Sequence, residues 1–127
     1  LVMDRLFSIL GCLSAFIAVA AGAFGAHALR GKLTPDSFNA FEVGVRYHMY
    51  HALALIAVAW AISHWPDSNA TVAGWLFVAG TVLFSGNLYA MSLTGIQAFG
   101  AVTPIGGLLF IAGWLYLAWT IFSRVKG

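Results

Sequence analysis

Charge is nearly absent from this sequence. Six Lys or Arg and four Asp or Glu make up 8% of its 127 residues, against 61% hydrophobic. A soluble domain carries about a quarter charged residues, and so short a chain leaves too much surface outside to hide that much apolar area. A soluble globule, a disordered chain and a nucleic-acid binder are excluded together. Cysteine is almost missing: Cys12 stands alone, so one chain can hold neither a disulfide nor a paired-thiol metal site. Within its apolar run Cys12 reads as a buried structural thiol. Proline occurs only at Pro35, Pro66 and Pro104, which leaves long stretches without a helix breaker. Six basic against four acidic groups give a net charge of +2, an imbalance too small to make a basic patch.

What fills the chain is long apolar runs. It opens Leu1-Val2-Met3, so either Met3 is the natural start or an alternative start codon stands before it. Residues 6 to 29 carry no formally charged side chain, and about 24 residues exceed the ~20 that a helix needs to cross the hydrocarbon. The run is longer than the core of a secretory signal, so it is expected to be a first transmembrane helix. After the basic connection Leu29-Arg30-Gly31-Lys32-Leu33, Thr34-Pro35-Asp36 has the chemistry of a helix start: a hydroxyl acceptor, a proline fit for the first turn and an acid at the positive end of the dipole. No breaker follows until Pro66. That is about 31 residues, or ~46 Å, against a core of ~30 Å, so the second helix either projects from the membrane or is preceded by an interfacial segment. Pro66-Asp67-Ser68-Asn69 is a turn. A third run covers residues 71–93, and Thr103-Pro104 repeats the Thr-Pro start for a fourth, to about residue 122, before the basic tail of residues 123–127.

The expectation is an all-α integral membrane protein of one domain: a four-transmembrane-helix up-and-down bundle with helices at about 6–29, 35–65, 71–93 and 104–122. Uniform runs of this length are not alternating barrel strands. Trp60, Trp65, Trp75, Trp114 and Trp119, with Tyr47, Tyr50 and Tyr116, are expected near span ends. Arg5, Arg124 and Lys126 share the side of both termini, against Arg30 and Lys32 opposite, with Arg46 a third there if it counts, which leans toward cytoplasmic termini. Leu29-Arg30-Gly31 and Leu93-Thr94-Gly95 close the odd helices while Thr-Pro opens the even ones. A duplicated two-helix unit or shared capping chemistry both explain that echo.

Ionisable groups within spans are costly and so are suspects for function. In an up-and-down bundle His27, Glu42, Arg46, His48, His51, Tyr89, Thr94 and Thr103 all fall toward one membrane face, with His64 and Asp67 at the other. Glu42 and Arg46 are four apart in the favourable order, and are expected either to pair at the membrane boundary or to form an ion or headgroup site. His48 and His51 lie within about 60° of one another. A stripe of Phe41, His48, Ala52 and Leu55 is expected to face the bundle. His27, His48 and His51 are the candidate metal set, and two imidazoles on facing helices would suit haem. The opposing reading is polar glue between helices. Ser85-Gly86-Asn87 interrupts the third run as a packing joint, with Asn87 bonding across helices.

The segments Gly22-Ala23-Phe24-Gly25-Ala26-His27-Ala28-Leu29, Phe41-Glu42-Val43-Gly44-Val45-Arg46-Tyr47-His48-Met49-Tyr50-His51, Phe84-Ser85-Gly86-Asn87-Leu88-Tyr89 and Thr103-Pro104-Ile105-Gly106-Gly107 with Gly113-Trp114 resemble the domain-of-unknown-function 423 family. These are small bacterial inner-membrane proteins, similar to the transmembrane protein 256-like group. The resemblance covers nearly the whole chain and implies a four-helix integral membrane protein of unknown mechanism. The family's motif positions fall here on His27, Glu42, Arg46, Tyr47, His48, His51, Ser85, Tyr89, Thr103 and Pro104.

No catalytic signature is present: no Ser–His–Asp order, no His-Glu-x-x-His and no phosphate-cradling glycine loop. The leading expectation is a non-enzymatic accessory or ligand- and lipid-binding bundle in the bacterial inner (cytoplasmic) membrane. Its candidate site is His27, Glu42, Arg46, Tyr47, His48, His51, Ser85, Asn87, Tyr89 and Thr103. Its partners are the bilayer and a homo-oligomer or larger membrane complex, and it needs no cofactor. Two other readings stay open: an oligomeric transporter of protons, metal ions or small solutes, and a metal- or haem-binding membrane protein.

Overall fold

A computed structural model describes residues 2–126, of which none forms a strand. Leu1 and, from the basic tail, Gly127 lie outside the described residues. Four long helical segments succeed one another: Val2–Leu29, Pro35–His64, Ala70–Thr94 and Thr103–Lys126. A short 3-10 turn, Gln97–Ala101, leads into the last. Three of the four are long and apolar enough to cross a membrane, the fourth together with its leading turn. The second helix is the longest at 30 residues. It falls short in hydropathy because Tyr47, His48, Tyr50 and His51 sit together in its middle.

The local chemistry accounts for the ends. Thr34 Oγ1 accepts from the Ser37 amide at 3.2 Å, Pro35 occupies the first turn, and Asp36 lies at the positive end of the helix dipole. The second helix then runs without interruption, so of the two alternatives for its excess length the structure has the extension and no separate interfacial segment. Thr103 does not repeat the Thr34 cap. Its hydroxyl donates to the Phe99 carbonyl at 3.5 Å, because the 3-10 turn has already carried the chain into the helix. Residues 123–126 belong to the fourth helix rather than to a separate tail. Arg124 is thereby placed to donate to Asp67 Oδ2 at 3.0 Å and to the Asp67 carbonyl at 2.8 Å, closing the Pro66–Asn69 turn onto the helix end.

Both odd helices widen near their C-terminal ends. Gly25–Leu29 and Val82–Gly86 are π turns, each of which takes in an extra residue and shifts the register of the residues beyond it. The third helix is capped by Gly95 in the left-handed region at φ 74°, whereas the first ends on extended Arg30 and Gly31, at φ 82°, sits in the turn that follows.

The echo between the halves extends further than the helix ends. Thr34-Pro35, Phe41, Gly44 and Tyr47 recur at identical spacing as Thr103-Pro104, Phe110, Gly113 and Tyr116. The packing recurs as well. Phe41 lies on Gly25 of the preceding helix, where a Cβ would meet the ring at 2.8 Å, and Phe110 lies on Gly80, where a Cβ would meet it at 2.5 Å. The repetition is carried by the second and fourth helices; the glycines they meet, Gly25 and Gly80, do not stand at equivalent positions in the first and third.

The first helix lies along the second, and the third packs against both the second and the fourth. Among the described residues the first and fourth make no extended contact, so the up-and-down order forms an open row rather than a closed ring. The core joins Phe7, Leu55, Val58, Phe77, Phe110 and Leu117. The expected inward stripe is there: Phe41, His48, Ala52 and Leu55 are all buried. Cys12 is not. It is exposed on the outward side of the first helix, a correction to its reading as a buried thiol. Leu13 and Phe16 share that outward side, which makes the thiol part of an apolar exterior.

A polar seam and two lateral cavities

His51 is 4% exposed and fully engaged. Its Nδ1 lies 2.7 Å from the Tyr47 carbonyl, and the Trp114 indole reaches its Nε2 at 3.1 Å. A carbonyl only accepts and an indole N–H only donates, so the proton is on Nδ1 and Nε2 is the bare acceptor. The ring stacks on Phe110 at 3.5 Å and 5°. His51 therefore ties the second helix to the fourth and has no nitrogen left for a metal. Among the described residues no three His, Cys, Asp or Glu side chains form a group able to hold a metal ion, so His27, His48 and His51 are not brought together as a ligand set. His27 sits exposed in the first π turn.

His48, 7% exposed, faces the third helix instead, with Nδ1 2.9 Å from the Tyr89 hydroxyl. The Tyr89 ring rests against Phe41 at 5.1 Å. Ser85, brought inward by the second π turn, donates to the Gly44 carbonyl at 2.7 Å. Gly44 lets the helices approach closely there: a Cβ would press on the Tyr89 ring at 3.0 Å. Ser85 is thus the cross-helix bond of the Ser85-Gly86-Asn87 joint. Asn87 is not: its Nδ2 donates to the Leu83 carbonyl of its own helix at 2.6 Å, because the π turn leaves that carbonyl within its reach.

The expected Glu42–Arg46 pair does not form. Among the described residues the ion pair is Arg124 with Asp67 at 3.0 Å. Glu42 and Arg46 instead line one cleft of about 80 Å³ with Gly22, Gly25, Phe41 and Val45, between the first two helices. Gly22 and Gly25 let Val45 and Phe41 close against the first helix, and these form the apolar wall of the cleft beside the charged groups. Tyr47 is 39% exposed and lays its ring against Phe84 at 4.8 Å. It opens onto a cavity of about 330 Å³ walled by His51, Phe84, Phe110 and Trp114. A further cavity of about 260 Å³ lies between the second and third helices, lined by His48, Thr81, Val82, Ser85, Gly86 and Tyr89. Thr103 stays with Phe99 and joins none of these.

At the opposite end His64 stacks on Trp60 at 5.0 Å and meets Trp65 edge-on at 4.4 Å. Trp114 was expected among the aromatics of the span ends, but it stands in the middle of the fourth helix as the donor to His51. The offset that places Phe110 opposite Phe41 also places Trp114 one residue after Gly113, the counterpart of Gly44, and was the signal available for it.

Residues 21–107 match the family described as a protein of unknown function (DUF423). The chain is 50% identical over 121 residues to a UPF0382 membrane protein of Staphylococcus haemolyticus, covering 95% of this chain and 98% of that one. It is 47% identical over 114 residues to the UPF0382 membrane protein YwdK of Bacillus subtilis, covering 89% and 93%. No solved structure matches it significantly.

Proposed function

The chain belongs to the DUF423 family, membrane proteins of unknown function, and we propose for it a non-enzymatic role: a four-span bundle that holds a zwitterionic lipid headgroup at the Glu42–Arg46 cleft. The carrying observation is that an acid and a guanidinium at the favoured spacing of four leave each other unpaired while facing one glycine-walled cleft. A phosphoethanolamine group answers both at once, its phosphate toward Arg46 and its ammonium toward Glu42.

Four crossings are supported by where the second helix sends its polarity. His48 and His51 turn inward to Tyr89, Trp114 and the Tyr47 carbonyl. Leu53 and Trp60 turn outward, so beyond Tyr50 the outward side of the helix is apolar although the helix as a whole is not. With four crossings both termini share a side, and Arg5, Arg124 and Lys126 in the sequence, against Arg30 and Lys32 opposite, lean that side toward the cytoplasm of a bacterial inner membrane. No cofactor takes part in this role.

Native mass spectrometry from mild detergent, after exchange into equal phosphatidylethanolamine and phosphatidylglycerol, tests it. The wild type is expected to retain phosphatidylethanolamine preferentially, and Arg46→Ala to lose that preference. Equal retention of both lipids by the wild type, or the same pattern in Arg46→Ala, would overturn the headgroup reading.

A further inference from the structure

We infer that the His48–Tyr89 pair is the polar end of a second, lateral binding site, for a membrane-soluble ligand that presents one carbonyl oxygen. A tyrosine hydroxyl and a neutral imidazole bring two hydrogens between them. One is consumed in their 2.9 Å contact. Whichever way that bond points, one donor is left over: His48 Nε2–H if the phenol donates, the phenol O–H if Nδ1 donates. No acceptor among the described residues answers it, and the leftover donor is reachable from the cavity rather than sealed in: among the described residues the sealed side-chain atoms without a partner are Ser68 Oγ and Arg124 Nε. Both side chains line the cavity of about 260 Å³ between the second and third helices.

The remaining walls say what the ligand is. Thr81 and Ser85 also line the cavity, but their hydroxyls are engaged with the Phe77 and Gly44 carbonyls at 2.8 and 2.7 Å. No formally charged side chain lines it. A carboxylate or phosphate would have no counter-charge there, whereas an apolar body with a single acceptor fits. The mouth faces outward: Val82 is 63% exposed, and a Cβ on Gly86 would meet nothing within 4 Å. In a membrane that mouth opens into lipid, so the ligand arrives by lateral diffusion. Tyr89 stands five residues before the end of the third helix at Thr94, about 7–8 Å of helix, which places its hydroxyl near the level of the ester groups of the bilayer. A quinone ring and the acyl ester of a glycerolipid both offer that carbonyl. This cavity is separate from the Glu42–Arg46 cleft, so either site can fail without the other.

The test uses the full chain in nanodiscs of diether phospholipid, which has no ester carbonyl, titrated with a short-chain naphthoquinone. Native mass spectrometry after exposure to equal diester and diether lipid forms the second arm. Saturable quinone binding identifies a quinone as the source, and selective retention of diester lipid identifies the acyl ester. In whichever arm binds, His48→Phe is expected to weaken binding about tenfold. Val82→Trp, placed at the exposed mouth where it does not disturb the core, is expected to block it by at least as much. Helical circular dichroism of both variants confirms the fold, and Leu115→Ala on the outer side of the fourth helix serves as the unaffected control. Binding in neither arm, or binding by His48→Phe and Val82→Trp as tight as the wild type, would overturn the inference.

Discussion

Removing the Trp114 indole tests the seam between the two hairpins. Trp114→Phe keeps a ring of similar reach against Phe77, its neighbour at 4.9 Å, and deletes the one donor to His51 Nε2. Hydrogen bonds between helices within a membrane average about 0.6 kcal/mol and reach about 1.7. His51 is 4% exposed and stacked flat on Phe110, and among the described residues its bare nitrogen has no other protein donor to turn to. A buried acceptor left without a partner costs about 1–3 kcal/mol, and the two ranges meet at about 1.5 kcal/mol. Replacing both partners removes the orphan as well as the bond. His51→Phe combined with Trp114→Phe is therefore expected to cost less than the sum of the single changes, with a coupling of about 1 kcal/mol. Unfolding in mixed detergent micelles with increasing dodecyl sulfate, monitored by tryptophan fluorescence and helical ellipticity, measures all four corners of that cycle. Imidazole ¹⁵N shifts add an independent reading: the wild type should show Nδ1 protonated and Nε2 bare. Additive single changes, or a proton found on Nε2, would refute the assignment of His51 as a fixed link between the hairpins.

Gly74→Ala drives a Cβ to within 2.5 Å of the Phe7 ring, and overpacking of this kind is expected to cost about 1–3 kcal/mol in the same unfolding assay. Gly95→Ala meets no neighbour within 4 Å but inherits φ 74°, so its cost is strain alone, about 1–2 kcal/mol. Equal stability to the wild type would contradict a left-handed cap there. Cys12, exposed beside Leu13 and Phe16, is expected to react in intact membranes with a lipid-soluble maleimide and resist a charged, membrane-impermeant one; the reverse order would place that side of the helix in water.

The helices and their order were legible because the apolar runs and the Thr34-Pro35 start are local signals, decided within a few residues of chain. The inward stripe of Phe41, His48, Ala52 and Leu55 was legible too, since the 3.6-residue period selects one side of a helix whatever it packs against. The partners that the stripe would meet were not. His48 ends on Tyr89 and His51 on Trp114 because the third and fourth helices arrive at a particular rotation, and the second π turn sets part of that rotation by turning Ser85 inward. A π turn has no composition of its own, so Gly25–Leu29 and Val82–Gly86 read as plain helix in the sequence. The same blind spot misled the reading of Asn87, whose bonding partner depends on the local register. Glu42 and Arg46 satisfied every spacing rule for a pair and still did not form one, because spacing fixes which groups are neighbours and leaves their rotamers free. Cys12 was misjudged because an apolar run in a membrane chain has no privileged inside.

The second helix carries the buried histidines, yet the residues that complete them lie 41 and 63 positions further along the chain. A ribosome adding about 5–20 residues per second reaches them roughly 2–13 s later. Through that interval the helix has only its upstream neighbour for company, and the imidazoles have no Tyr89 and no Trp114. A second helix that met bulk lipid before the fourth was made would carry two histidines whose cross-helix partners did not yet exist, so in a four-span topology the order of synthesis and the order of burial are coupled.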